Sequence, residues 1–221
     1  MTSSTKRAAR AAAGLFGVLA SGVVAQASQT PPGAVAAPFA VRGSLELDGD
    51  STLHRFSART TAVRAVVHLD EAAPPATETD VATLGTLLRG GHVRDLQLAT
   101  PTEKLSSGDG ALDRNMWKAL KSDRYKEIRF QADRFELAPP VASGSQFRVA
   151  MHGSLSVAGV ARPVVLTADA FGVPGGVRLA GSADLRMTDF AVKPPTLMFG
   201  AIKTADLVVI KFDMELRAPG R

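Results

Sequence analysis

Four histidines stand at positions 54, 68, 92 and 152, with neither an H-x-H nor an H-x-x-x-H pair among them and no acidic partner at ligand spacing. That arrangement gives no support to a metal centre and suits ordinary strand and loop histidines. The chain has no cysteine, which removes thiolate ligands, disulfides, iron–sulfur clusters and cysteine nucleophiles together. There is no G-x-S-x-G and no Walker loop. Gly108-Asp109-Gly110 lacks the third glycine and the preceding strand of a dinucleotide fingerprint, and is more simply a loop that enters a helix. The carboxylates are scattered, with no pair that spacing brings together for acid–base work. Neither catalytic residues nor a cofactor emerge.

Two other patterns carry chemistry of binding. Arg114, Lys118, Lys121, Arg124 and Lys126 form a cationic stripe able to hold an anionic headgroup or touch an acidic membrane surface. Asp113 and Asp123 interleave with it, so a solvated helix face accounts for it equally. Trp117 beside the stripe suits a core or rim packer. Ala168, Ala170, Gly181 and Ala183 put small residues at inward strand positions where a packed core would want Leu or Phe. Either they leave room for a ligand, or they relieve crowding where strands bend. On the first view Gly181→Phe fills an open tunnel and leaves the fold intact.

The elements that position these residues follow a period of two. Phe39, Val41, Leu45 and Leu47 alternate with Arg42, Ser44 and Glu46, and Asp48-Gly49-Asp50 supplies a turn signal. Val63 to Leu69 and Val93 to Leu98 repeat the pattern. Phe147, Val149, Met151, Gly153, Leu155 and Val157 face one way; Ala158-Gly159 turns the chain into Val164 to Ala170; and Val173-Pro174-Gly175-Gly176 turns it again into Val177 to Met187. A last strand aligns Val208, Ile210, Phe212, Met214 and Leu216. The count reaches eight or nine, which suits an all-β, antiparallel barrel of lipocalin-like form. Helical period appears over Ala111 to Lys121, with Leu112, Met116, Ala119 and Leu120 opposite the cations. It is weaker over Val81 to Leu88, where Thr79 or Asp80 is the cap and Gly85 interrupts.

Of 221 residues, 45% are apolar and 21% charged, enough for one domain that buries roughly 70% of its unfolded surface. Lys6, Arg7 and Arg10 precede the apolar run Ala11 to Ala25, which ends at Ala25-Gln26-Ala27. This is a secretory signal over residues 1–27, with cleavage expected before Ser28 and export to a periplasmic or extracellular space. The run is shorter than the ~20 residues that span a bilayer. Its removal lowers the net charge from +5 to +2, which weakens any case for nucleic acid. Residues 28–38, rich in Pro and Ala, form a flexible tether, and the domain occupies 39–217.

Four blocks in order carry a resemblance: STLHRFSA (Ser51 to Ala58), LSSGDGALDRNMWKALKSDRYKEIRF (Leu105 to Phe130), GSLSVAGVARPVVL (Gly153 to Leu166) and LRMTDFAVKPPTLMFGAIKTADLVVIKFDMEL (Leu185 to Leu216). From Phe39 to Leu216 the chain resembles the YceI-like proteins, secreted bacterial proteins with an extended, eight-stranded lipocalin-like barrel that bind polyisoprenoid or other lipid chains. Arg55 and Lys126 stand where that family's pattern usually has an acid and a proline. The resemblance implies binding and not catalysis, with an isoprenoid, an isoprenoid quinone or another long-chain lipid as partner, peripheral membrane contact, and no metal, cofactor or nucleic acid. The lipid tail is expected between Phe130, Phe147, Met151, Ala168, Gly181 and Phe212. The headgroup is expected near His54, the cations Arg114, Lys118 and Lys121, and the loop from Thr188 to Gly200. Two alternatives stand beside this: an enzyme acting on such a lipid, for which no nucleophile–base pair is found, and a barrel filled by its own side chains that serves as a scaffold or stress-response module. The volume inside the barrel separates binder from module.

Overall fold

The computed structural model describes residues 34–37, 39–74, 78–197 and 202–217. The expected leader (1–27) lies outside the described residues. Residues 34–36, expected within the flexible tether, form a short strand, β1 (Ala34–Ala36), paired antiparallel with β4 (Arg64–Asp70).

One curled antiparallel sheet makes up the domain. Its long strands are β2 (Ala40–Ser51), β3 (Arg55–Thr60), β4, β5 (Val93–Pro101), β6 (Glu127–Ala138), β7 (Phe147–Val157), β8 (Val160–Val173), β9 (Gly176–Arg186) and β11 (Ile202–Arg217), with β10 (Thr196–Leu197) beside β11. Nine long strands place the fold at the upper end of the expected count. The ladder order is β1-β4-β5-β6-β7-β8-β9-β11-β2-β3. Inward residues of each strand meet in one core, which contains Phe130, Val149, Met151, Leu155, Leu166, Val177, Phe212 and Met214.

The meander from β7 to β9 follows the alternation read from the sequence. Ala158 and Gly159 both have positive φ (50° and 84°), the primed geometry whose twist matches two-residue hairpins. Asp48-Gly49-Asp50 is no turn: β2 runs on to Ser51, and the chain reverses at Thr52–His54, where Ser51 Oγ donates to the His54 carbonyl at 2.8 Å. Asp48 and Asp50 point outward into ion pairs with Lys211 and Arg55, and the Phe56 ring lies over Gly49, so strand geometry satisfies all three residues.

Two helices close the ends. At the lower end α1 (Val81–Arg89) is capped by Asp80, whose carboxylate accepts from the Thr83 N–H at 2.7 Å. Gly85 brings this helix against the Phe147 ring. At the upper end α2 (Gly110–Ala119) is capped by Asp109, which accepts from the Ala111 and Leu112 N–H groups at 2.7 and 3.0 Å.

The seam between the two ends of the sheet is sealed beside α2. The main chain of Ser106 pairs with Arg59 of β3 through two hydrogen bonds (2.8 and 3.1 Å). The Asp113 carboxylate accepts from Ser106 Oγ at 2.6 Å and from the Ser107 N–H and Oγ at 2.7 Å each. Trp117 Nε1 donates to the fully buried Leu105 at its carbonyl (2.9 Å), so this ring is a packer. Burial pushes the Asp113 carboxyl upward, but the three donors outweigh it and hold its pKa below 3.8. Asp113→Ala leaves these donors without a partner and is expected to lower stability by about 2–3 kcal/mol at neutral pH. Because the folded pKa is depressed, this contribution is present above the unfolded value and lost as pH falls through the folded one. Urea unfolding at pH 7 and below 3.8 should show the difference between wild type and variant shrinking with acid.

Candidate ligand-binding site

The strands enclose an apolar cavity of about 240 Å³ under α2, close to the lower end of the ~300–1,000 Å³ typical of small-molecule sites. Its walls come from all round the sheet: Leu47 and Phe56, Leu98, Phe130, Leu155, Leu166, Leu185, and Ile210 of β11. The roof is the apolar stripe of α2 (Leu112, Met116, Ala119 and Leu120) with Phe190 and Val192 from the segment after β9. That segment follows a short 3-10 turn, Met187–Phe190, and Phe190 and Val192 are buried. The barrel is therefore not filled by its own side chains.

Polar groups gather only at the upper rim. Ser51, His54, Ser107, Asn115, Arg186 and Thr204 border the cavity there. The His54 side chain is exposed, while its main chain is bound to Ser51, so the imidazole is the part that faces the opening. Arg186 is the sole cation lining the cavity and lies 3.8 Å from Asp206.

Among the expected site residues, His54, Phe130, Met151 and Phe212 line the cavity. Phe147, Ala168 and Gly181 are core residues that do not border it; Ala168 is 1% exposed. At Gly181 a Cβ would meet the Thr167 carbonyl oxygen at 2.0 Å and the Phe212 ring at 2.6 Å. The room expected at this glycine is thus occupied by Phe212, packed across the strands as large rings commonly cover strand glycines. Of the two views of the small residues, close approach is the one the geometry at Gly181 supports.

Arg114, Lys118 and Lys121 are exposed on α2, on the side away from the stripe that roofs the cavity. With Leu112, Met116, Ala119 and Leu120 turned inward, a 100° step per residue sends these cations outward. The same periodicity in the sequence already implied that orientation, against a headgroup role inside the barrel. Asp113, expected to dilute the stripe, is instead buried against Ser106 and Ser107. The expected loop from Thr188 to Gly200 does contribute Phe190, Val192 and Pro195, while 198–200 lie outside the described residues.

The remaining histidines are tied into strand contacts. His68 Nδ1 lies 3.0 Å from Asp95, His92 Nδ1 3.1 Å from Asp70, and Arg134 donates to His152 Nδ1 at 2.6 Å. Among the described residues no three His, Asp or Glu side chains come together as a metal site, and no helix is long and apolar enough to cross a membrane. The residues missed by sequence reasoning are mainly Leu47, Leu155, Leu185, Ile210 and Met116. All were legible as inward positions, but parity alone does not separate a side chain that borders space from one packed against another.

An antiparallel barrel with an apolar lumen, a helix under each end and a polar rim on one side defines a class of single-cavity β-proteins. The YceI-like domain model matches residues 37–216, and the chain belongs to the YceI-like family. Its fold is similar to that of BcnA from Burkholderia cenocepacia, at 16% identity and a TM-score of 0.57, covering 78% of this chain and 95% of that one. It is similar also to a polyisoprenoid binding domain from Saccharophagus degradans implicated in plant cell wall breakdown, at 10% identity and a TM-score of 0.53, covering 82% and 99%. No curated protein matches the sequence.

Proposed function

We propose that this protein is an exported carrier or store for a long apolar lipid, an isoprenoid chain, an isoprenoid quinone or a comparable acyl chain, held in the barrel with its polar end at the His54 and Asn115 rim. One observation carries the reading: a cavity of about 240 Å³ with apolar walls stands open at the centre of a domain otherwise well packed. An unfilled apolar space forfeits the packing contacts its walls would make with a guest, and a hydrocarbon chain restores them without asking for hydrogen bonds. The printed description of the Saccharophagus domain as polyisoprenoid binding supports the same class of ligand. The rim offers hydrogen-bonding groups and one paired cation, which suits a small, weakly charged headgroup. Binding rather than catalysis fits a lumen whose polar side chains are confined to its edge. The outward cations of α2 and Leu53, 67% exposed at the turn after β2, offer peripheral contact with an acidic bilayer.

Titration with a fluorescent prenyl probe tests this. Saturable binding at one probe per chain, displaced by unlabelled prenol and not by a short polar alcohol, is expected; no saturable uptake of any long-chain lipid would overturn it. Export is tested by N-terminal sequencing of protein recovered outside the cytoplasm. The mature chain should begin at or near Ser28, and an intact Met1 in that fraction would contradict it.

A further inference from the structure

The lumen is divided. Below the upper cavity lies a second space of about 70 Å³ whose walls are all apolar, floored by Leu84 and Leu88 of α1. Leu98, Met151, Phe212 and Met214 border both spaces, and so form the partition between them. Three of these four are firmly seated, with Met151 4%, Phe212 8% and Met214 5% exposed.

The partition has a specific construction. Phe212 and Met214 are successive inward residues of β11, and they lean to opposite neighbours. The Phe212 ring lies on Gly181 of β9, and Met214 Sδ lies where a Cβ of Gly43 on β2 would stand, 2.3 Å from that position. Both glycines also sit too close to a neighbouring carbonyl, of Thr167 and of Asp213, to admit a side chain. Phe212 and Met214 are thereby fixed at one level of the barrel, and Met151 of β7 meets them from the facing wall. From Met151 to Val157, β7 borders the upper cavity over ~20 Å of strand, whereas from Met151 to Val149 it borders the lower one over only ~7 Å.

We infer that this partition is a chain-length stop: the lipid tail fills the upper cavity and ends against Phe212 and Met151, so that these residues set the length of chain the protein prefers. The inference rests on the lipid-binding reading above and deepens it. A chain longer than the upper cavity leaves its surplus at the rim in water and gains nothing from it. A chain shorter than the cavity forgoes apolar burial in proportion to the area left uncovered.

The test is a competition series against the fluorescent prenyl probe, using unbranched prenyl alcohols from farnesol to solanesol. Wild-type affinity should climb with each added isoprene unit, then level off at one length. Phe212→Ala, which joins the two spaces, should shift that levelling point to a longer alcohol and raise affinity for the longer members at least fivefold. Phe212→Leu should do the same to a smaller degree if the alanine variant proves unstable. Leu96→Trp, which fills the lower space alone, should leave the wild-type series unchanged, and Val41→Phe serves as its companion. A levelling point that stays put in the Phe212 variants, or that moves to shorter alcohols when the lower space is filled, would overturn the stop while leaving lipid binding standing. Failure of wild type to bind any alcohol in the series would overturn the lipid-binding reading, and the stop with it.

Discussion

Replacing Ile210 by Trp is expected to weaken lipid uptake at least a hundredfold, close to 3 kcal/mol of binding free energy, while changing stability by no more than about 1 kcal/mol. Ile210 is an inward residue of β11, registered between Leu47 of β2 and Ala183 of β9, and it borders the upper cavity. It is only half-buried although it faces the interior, because what lies in front of it is space. An indole there takes up volume that the tail would use and displaces little that is already packed. In a filled barrel the same substitution would overpack the core and cost roughly 1–3 kcal/mol, so a pair of measurements, a probe titration and a thermal melt, separates the two cases. Lost binding with an unchanged melt is the predicted pair. A melt lowered by several degrees with binding retained would contradict it.

The second large effect is on stability. Gly181→Ala adds one methyl group and is expected to cost about 3 kcal/mol or more, because a Cβ would lie 2.0 Å from the Thr167 carbonyl oxygen and 2.6 Å from the Phe212 ring. The ring can swing aside. The carbonyl cannot, since Thr167 and Ala168 are registered with Ser182 and Gly181 in the β8–β9 ladder. For a domain of this size such a loss corresponds to a fall in melting temperature of roughly 6–12 °C. Gly181→Phe, expected from the alternation alone to fill a tunnel and spare the fold, should instead be more damaging still. A melt within a degree or two of wild type for the alanine variant would mean that β8 and β9 give way more readily than their register implies.

These two positions show which parts of the molecule the sequence discloses. Alternation from Phe147 to Met187 continues without interruption over three strands, and its turn residues suit two-residue hairpins, so the meander was legible residue by residue. Both helices were legible because a capping aspartate stands before each apolar face, at Asp80 and Asp109. β3 was harder, with Phe56 and Ala58 alternating against Arg55, Ser57 and Arg59 over only six residues. Asp48-Gly49-Asp50 has the composition of a turn, but the Phe56 ring and the outward ion pairs hold it in the strand, and both partners are distant in sequence or belong to another element.

The site was legible as a face and not as a volume. Ile210 and Gly181 have the same inward parity, yet one borders open space and the other lies beneath a ring. What separates them is the rotamer of Phe212 and the approach of the Thr167 carbonyl, which arise only when β8, β9 and β11 are assembled. The cationic stripe on α2 is the opposite case. Its outward orientation follows from the apolar stripe on the same helix, so there the sequence contained the answer.

The central claim, that the open lumen exists to hold a long apolar chain, is tested most directly by what the protein carries when isolated from the envelope of the cells that make it. Organic extraction followed by mass spectrometry should release one class of long-chain lipid at close to one molecule per chain, and the Ile210→Trp variant prepared in the same way should release almost none. Wild-type protein that releases no lipid and afterwards takes up none would contradict the account.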